Sequence, residues 1–288
     1  MKALSEMPLT ADGAVYHIGL LPEDITDKIV LVGDPGRVGM ISSKFDTIIK
    51  KTRNREIESH IGRYKGVPIT VMSTGMGVDN VDIVLNELNI LANVDFKTKE
   101  LKGRRRKLQF VRIGTCGAFQ PNIPVNSHVA SEYAIGIDGM LYYYDIAHIM
   151  NPVMEREFIR KMRWSKKLPY PYVVKGGEYL LNHLDSSFIK TITVTTPSFY
   201  GGQGREVTLP LAYPHLNQKL MSISVGGKKL GNFEMETSAL YGLSAAMGHE
   251  ALTVCLVIAN RYSKTSNFSY HTEMKELIDK ILNFFITV

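Results

Sequence analysis

Val67-Pro-Ile-Thr-Val-Met72 is a short apolar, β-branched run, and it passes without a break into Ser73-Thr-Gly-Met-Gly77. After the glycines, Val81, Val84, Leu85, Leu88 and Leu91 recur at spacings of three and four. The period has switched from that of a strand to that of an amphipathic helix, so this stretch predicts a strand, a glycine turn and a helix. Other apolar runs on either side also end in small or polar residues. Lys28-Ile-Val-Leu-Val-Gly33 runs into Gly33-Asp-Pro-Gly36 and a more helical segment from Arg37. Leu108-Gln-Phe-Val-Arg-Ile113 reads as a strand ending in a Gly114-Thr-Cys-Gly117 turn, and Ile189 to Thr195 leads towards Gly201 and Gly202. Ala251 to Ala259 is a further β-rich run, Met235 to Met247 reads as a helix capped by Gly248, and His271 to Phe285 as a closing amphipathic helix. Strands alternating with helices predict an α/β sheet covered on its faces, and further strands between Ile123 and Ile135 would make it mixed.

The chain has 288 residues, 44% of them hydrophobic, and shows no internal repeat, linker or low-complexity tract. One domain over 1–288 is expected. No apolar run approaches the roughly 18 residues of a membrane helix, and Met1 to Ala14 has no apolar signal core, so a cytoplasmic location without membrane contact is expected. Two cysteines, Cys116 and Cys255, are too few for a disulfide framework or a four-ligand zinc site, and no metal is expected. Much of the +6 net charge sits in one place: Lys97, Lys99, Lys102, Arg104, Arg105, Arg106 and Lys107 fall within eleven residues. Charge runs are usually solvated loops, and this one lacks the interleaved aromatic residues that a nucleic-acid surface favours.

Four clusters have the composition of a binding site. Gly33-Asp-Pro-Gly-Arg37 offers bare backbone N–H groups and a guanidinium at a strand end, although such a stretch is more often only a turn. Arg112-Ile-Gly-Thr115 combines fork donors, main-chain amides and a hydroxyl, the parts of an oxyanion site; the bland alternative is an arginine solvated at a strand end. Phe199-Tyr-Gly-Gly-Gln-Gly-Arg205 has an amide that donates and accepts, a guanidinium that only donates, and an aromatic face, which suits a flat heterocycle carrying carbonyls and an N–H. Its alternative is a loop with buried rings and solvated polar groups. Glu234-Met-Glu236 opens a helix, where carboxylates commonly do no more than complement the dipole.

Taken in order, Tyr16-His-Ile-Gly-Leu20, Gly33-Asp-Pro-Gly-Arg37, Arg55-Glu56, Ser73-Thr-Gly75, Arg112-Ile-Gly-Thr115, Phe199-Tyr-Gly-Gly-Gln-Gly-Arg205, Glu234-Met-Glu236 and Val257-Ile-Ala-Asn-Arg261 resemble the nucleoside phosphorylase family, and within it the uridine phosphorylase branch. The resemblance spans nearly the whole chain. It implies a three-layer α/β/α fold with a mixed, partly barrel-like central sheet. It assigns phosphate to Gly33, Arg37, Arg112, Gly114 and Thr115, with Arg55 reaching in from a neighbouring subunit. Ribose falls to Met235 and Glu236, with Glu234 beside them and His17 reaching across the interface. Uracil falls to Phe199, Gln203 and Arg205. Catalysis would rest on Arg205, Gln203 and Glu236 in a homo-oligomer, a dimer or a trimer of dimers. No cofactor is implied beyond phosphate as co-substrate, with the use of a monovalent cation near Glu56 left open.

Two departures from bacterial members stand out. Cys116 replaces the second threonine of a Thr-Thr pair, and the basic stretch 97–107 looks like an insertion that enlarges a surface loop or an assembly contact. The implied reaction is phosphorolysis of uridine to uracil and ribose 1-phosphate in pyrimidine salvage. The nearest rival is a purine nucleoside phosphorylase of the same fold. Against it, the late strand is followed by Asn260 and Arg261 where such enzymes usually place an acid. The other rival is a non-catalytic RNA- or phosphate-binding protein on the same scaffold.

Overall fold

The computed structural model describes residues 5–288. The strand, turn and helix units form as the sequence predicts. β1 (Lys28–Val32) ends at Gly33, and the Asp34 side chain caps α1 (Pro35–Ser42) by accepting the Gly36 N–H at 2.9 Å. Pro35 occupies the first turn, where its missing N–H costs nothing. An antiparallel hairpin follows, β2 (Thr47–Asn54) and β3 (Ile57–Tyr64), turning at Arg55 with φ 54°. Then come β4 (Val67–Ser73) and α2 (Val78–Asn93). The rest of the chain adds β5 (Gln109–Ala118), β6 (His128–Gly136), α3 (Pro152–Met162), β7 (Tyr172–Lys175), α4 (Glu178–His183) and β8 (Ile189–Thr195). It closes with α5 (Leu216–Ser222), β9 (Ser224–Val225), β10 (Lys228–Glu234), α6 (Thr237–Ala246), β11 (Glu250–Asn260), β12 (Thr265–Ser266) and α7 (His271–Phe285).

One half of the sheet is open, in the order β2-β3-β4-β1-β5, with β1 parallel to both β4 and β5. The other half is a closed ring of five strands. β5 pairs parallel with β11, β11 antiparallel with β6, β6 parallel with β8, β8 parallel with β10, and β10 returns antiparallel to β5. β5 belongs to both halves: Gln109 to Ile113 pair with β1 on one side and β11 on the other, while Gly117 and Ala118 pair with β10. The expected Gly114–Gly117 turn is therefore wrong. The strand continues through these residues, and Gly114 is needed for a different reason: a Cβ there would overlap Arg112 Nη1 and come within 3.0 Å of Cys255 Sγ. Its missing side chain leaves room for a guanidinium inside the ring.

Side chains of β1 alternate between the two faces of the sheet. Ile29 and Leu31 pack with α2 and α6, whereas Val30 and Val32 pack with α1, α4 and α7. Burial on both faces explains an uninterrupted apolar strand. On α7, Met274, Leu277, Ile278, Ile281, Leu282 and Phe285 are all buried, a stripe at helical spacing whose members each contribute roughly 1.5–3 kcal/mol when fully withdrawn from water. The result is helix, sheet, helix, the three-layer mixed fold with a partly barrel-like centre.

The basic stretch 97–107 lies in the connection from α2 to β5 and is partly tied down. Arg106 pairs with Asp27 at 2.8 Å, Lys107 with Glu250 at 3.1 Å, and Lys102 Nζ donates to Ala92 O at 3.0 Å in the last turn of α2. Lys97, Arg104 and Arg105 are exposed. Among the described residues, no helix is long and apolar enough to cross a membrane.

Candidate active site

Residues that follow β1 and β4, the middle of β5, and the ends of β10 and β11 surround one cleft of about 680 Å³. Gly33, Arg37, Arg112 and Thr115 line one part of it, Glu234, Met235 and Glu236 another, and Phe199, Gln203 and Arg205 a third. Four clusters distant in sequence thus share one cavity. Gly114 is not on its wall. Its missing side chain admits Arg112 into the ring, a packing role beside the phosphate contact that the resemblance implies.

Arg112 is the junction of the cleft. Its side chain is buried, and Nη2 donates to Glu236 Oε2 at 2.5 Å while Nη1 lies 3.8 Å from Glu234 Oε2. Burial pulls the guanidinium pKa down, but the carboxylates of Glu236 and Glu234 outweigh it and hold the pKa above its ordinary value. Its Nε and Nη1 donors have no hydrogen-bond partner among the described residues and are shut away from the surface, whereas Nη2, the nitrogen nearest Gly33, is the one that Glu236 engages.

The two glutamates differ. Glu236 Oε1 accepts the Gly77 N–H at 2.9 Å, from the residue that caps α2. Glu234 is fully engaged by the protein: it accepts the Thr195 hydroxyl at 2.7 Å and the N–H groups of Glu236 and Thr237 at 2.8 Å each, which are first-turn donors of α6. Burial, and then the neighbouring Glu236, push its carboxyl up to about 7. Glu234 braces the start of α6 and the backbone of Glu236, which leaves Glu236 as the carboxylate better able to change partners.

At the third part of the cleft, Gln203 is 3% exposed. Its Nε2 donates to Thr196 Oγ1 at 3.1 Å and its Oε1 accepts from Arg205 Nη1 at 2.6 Å. An arginine can only donate, so this contact fixes which end of the amide is oxygen. Each end still has one site to spare, an acceptor beside a donor. Arg205 also donates to Phe199 O at 2.5 Å, and its guanidinium lies 3.6 Å from the centre of the Phe199 ring. The face expected to stack on a heterocycle is therefore shared with a cation. Burial and the nearby Arg261 lower the Arg205 pKa to about 10. Arg261 Nε and Nη2 are buried without hydrogen-bond partners among the described residues. Sequence reasoning noted Arg261 only for the missing acid beside it; two adjacent guanidiniums with unspent donors were not foreseen, because their proximity depends on ring closure. Met76, Ile258 and Phe268 also line the cleft and carried no signal beyond being apolar.

His17 and Arg55 do not line the cleft. They sit together elsewhere on the surface: Arg55 Nη2 donates to Tyr16 OH at 3.2 Å, the Arg55 guanidinium is 5.3 Å from the Tyr16 ring, and that ring is 5.0 Å from the His17 imidazole. Glu56, one residue from Arg55, does reach the cleft.

The geometry at Gly114 gives a direct expectation. Gly114→Ala should leave a folded protein whose Arg112 is displaced, and the affinity for phosphate that the resemblance implies at this arginine should weaken about tenfold or more, in line with loss of a charge-assisted contact. Phosphate titration of the purified variant measures this, and an unchanged affinity would show that Arg112 does not need the space.

Residues 27–285 match the profile described as the Phosphorylase superfamily. A uridine phosphorylase of Thermococcus kodakarensis is 32% identical over 262 residues, covering 89% of this chain and 81% of that protein. A DeoD-type purine nucleoside phosphorylase of Oceanobacillus iheyensis is 29% identical over 244 residues, or 84% of this chain and 85% of that protein. Among solved structures, a Trypanosoma brucei nucleoside phosphorylase, reported to show uridine phosphorylase activity, superposes with a TM-score of 0.86 at 29% identity, covering 98% of this chain and 100% of that one.

Proposed function

Because this chain belongs to the phosphorylase superfamily, we propose that its cleft carries out the reversible phosphorolysis of uridine to uracil and ribose 1-phosphate. It is a uridine phosphorylase, a pentosyltransferase. The observation that carries this is the sharing of one cavity by Arg37 and Arg112 with Gln203 and Arg205. Phosphate takes the first pair, the pyrimidine the second, and Met235 and Glu236 the sugar between them.

Phosphate itself is the attacking group, so no protein nucleophile is required. As the glycosidic bond lengthens, the sugar becomes cation-like and the departing uracil gathers negative charge. Arg205 and Gln203 stabilise that charge at the carbonyls, while phosphate held by Arg37 and Arg112 faces the developing cation. The spare acceptor and donor of Gln203 match the N3–H and O2 of uracil. A purine ring asks for an acid to protonate it as it leaves. Near Arg205 stands a second cation, Arg261, and among the described residues neither is paired with a carboxylate that could serve as that acid.

Glu236 and Met235 occupy the 2′ and 3′ hydroxyls of the sugar, which leaves the 5′ hydroxyl for His17 of a neighbouring copy, with that copy's Arg55 joining the phosphate group. Support comes from the two residues sitting side by side on a surface outside their own chain's cleft. The enzyme on this reading is a cytoplasmic homo-oligomer built from dimers and serving pyrimidine salvage. Glu56, at the cleft beside Arg55, is the group that would hold a monovalent cation.

The test is uracil release from uridine with and without phosphate, alongside deoxyuridine, thymidine and inosine. Phosphate-dependent cleavage of uridine well above inosine is expected. Equal or faster cleavage of inosine would favour the purine enzyme, and salt-sensitive RNA binding without turnover would favour the non-catalytic alternative.

A further inference from the structure

Glu87 stands out among the buried ionisable groups that the proposed chemistry does not use. It lies in the middle of α2 with 6% of its surface exposed, and no lysine or arginine pairs with it among the described residues. All of its partners come from one dipeptide in the N-terminal segment. Its carboxylate accepts the His17 N–H at 2.9 and 3.0 Å, the Ile18 N–H at 2.7 Å, and His17 Nδ1 lies 2.6 Å from Oε1. Asn54 holds the same segment from the other side, its Nδ2 donating to the carbonyls of Tyr16 and His17 at 2.9 and 3.0 Å.

We infer that Glu87 is a positioning residue that fixes both the place and the tautomer of His17 for its contact with the sugar of a neighbouring copy. The inference rests on the cross-subunit role given to His17 above. An ionised carboxylate only accepts, so the imidazole nitrogen facing it must carry the proton. Nδ1 is thereby committed to Glu87, and Nε2 is turned outward on a side chain that is 30% exposed. In the neutral ring that outward nitrogen accepts a hydrogen bond from a hydroxyl. A carboxylate held by two backbone amides and one imidazole also costs α2 a buried charge, which a purely structural contact between a helix and a loop would not require. The bond from Glu87 to His17 passes no proton to substrate. It sets the orientation of a group that touches substrate, as second-shell carboxylates do for other histidines.

The experiment compares kcat/KM for uridine and 5′-deoxyuridine in the full-length protein. Glu87→Gln keeps the size of the side chain but turns one acceptor into a donor, which forces Nδ1 to accept and moves the imidazole proton to Nε2. The uridine to 5′-deoxyuridine preference should fall about five- to tenfold, the amount expected for one hydrogen bond, with His17→Ala producing a similar fall and the double variant falling no further. If His17→Ala leaves the preference unchanged, the cross-subunit role of His17 is wrong and the inference goes with it. If His17→Ala abolishes the preference but Glu87→Gln does not, or if Glu87→Gln slows both substrates equally, only the role of Glu87 is overturned. Should Glu87→Gln fold poorly, long-range ¹H–¹⁵N spectra of the wild-type protein, with the His17 ring assigned from His17→Ala, decide the matter: a proton on Nδ1 is expected, and the Nε2–H tautomer overturns the inference.

Discussion

Arg205→Ala is expected to lower kcat for uridine phosphorolysis by about 10² to 10³, the effect typical of removing one donor from a preorganised oxyanion site. Two features of the cleft argue for a loss this large. Arg205 makes no ion pair among the described residues, and its fixed partners are the carbonyl of Phe199 and the amide oxygen of Gln203, so its charge is not already neutralised. It also sets which way Gln203 faces; without it the amide is free to turn and present the wrong end to the base. Both effects act on the leaving group in the transition state, so kcat should fall with much less change in the KM for phosphate. Folding should be nearly untouched, because the variant removes repulsion from Arg261 along with the contacts to Phe199 and Gln203. Steady-state rates at saturating phosphate, paired with a thermal melt, check this, and a loss of only a few-fold would reject the role.

Arg112→Ala should behave differently, with binding and folding failing together. Phosphate loses a cation that lines its part of the cleft beside Gly33 and Arg37, so saturation should require far higher phosphate. Glu236 and Glu234 would at the same time be left buried without their compensating charge. Removing one partner of a buried ionic cluster typically destabilises by about 3–5 kcal/mol. Urea unfolding should therefore show a markedly lower midpoint for Arg112→Ala than for Arg37→Ala, which disturbs no such cluster. Phosphate dependence unchanged from wild type would rule out the assignment; equal midpoints would mean that the glutamates are protonated or re-paired in the variant. Arg112→Lys separates the two effects, since it keeps the charge but loses the fork.

Local chemistry made much of this molecule legible in advance. The apolar strand before Gly33, the period switch after Gly77 and the stripe on α7 each depend on residues a few positions apart, and each formed where the pattern placed it. β2 offered no such signal: Thr47 to Asn54 is a charged edge strand carrying Lys50, Lys51 and Arg53, with most of its residues facing water, so there is no apolar face to read. Gly114 to Gly117 misled for a physical reason. Glycine marks a turn when the chain must reverse, but it also marks a close approach, and whether Arg112 needs that room is invisible until the strand is paired. The cleft followed the same division. The residue types in each cluster pointed to an anion and a flat base, whereas the sharing of Arg112 between Glu236 and Glu234, the engagement of Glu234 by α6, and the approach of Arg261 to Arg205 arise only when distant segments meet.

The ring has a consequence for how the protein is made. Its closing seam joins β5 to β11, a pairing between Gln109 and Glu250 at one end and Ala118 and Asn260 at the other. A ribosome must therefore deliver well over a hundred further residues before the strand bearing Arg112 meets its last neighbour, and contacts this remote form late and slowly. Helices can appear early in the nascent chain, but the unclosed rim exposes unpaired backbone in the interval, when association with other chains is the main hazard. In a refolding experiment, helical signal should return well before catalytic turnover, and the part of the lag that does not shorten as protein concentration rises would time the closing of the seam.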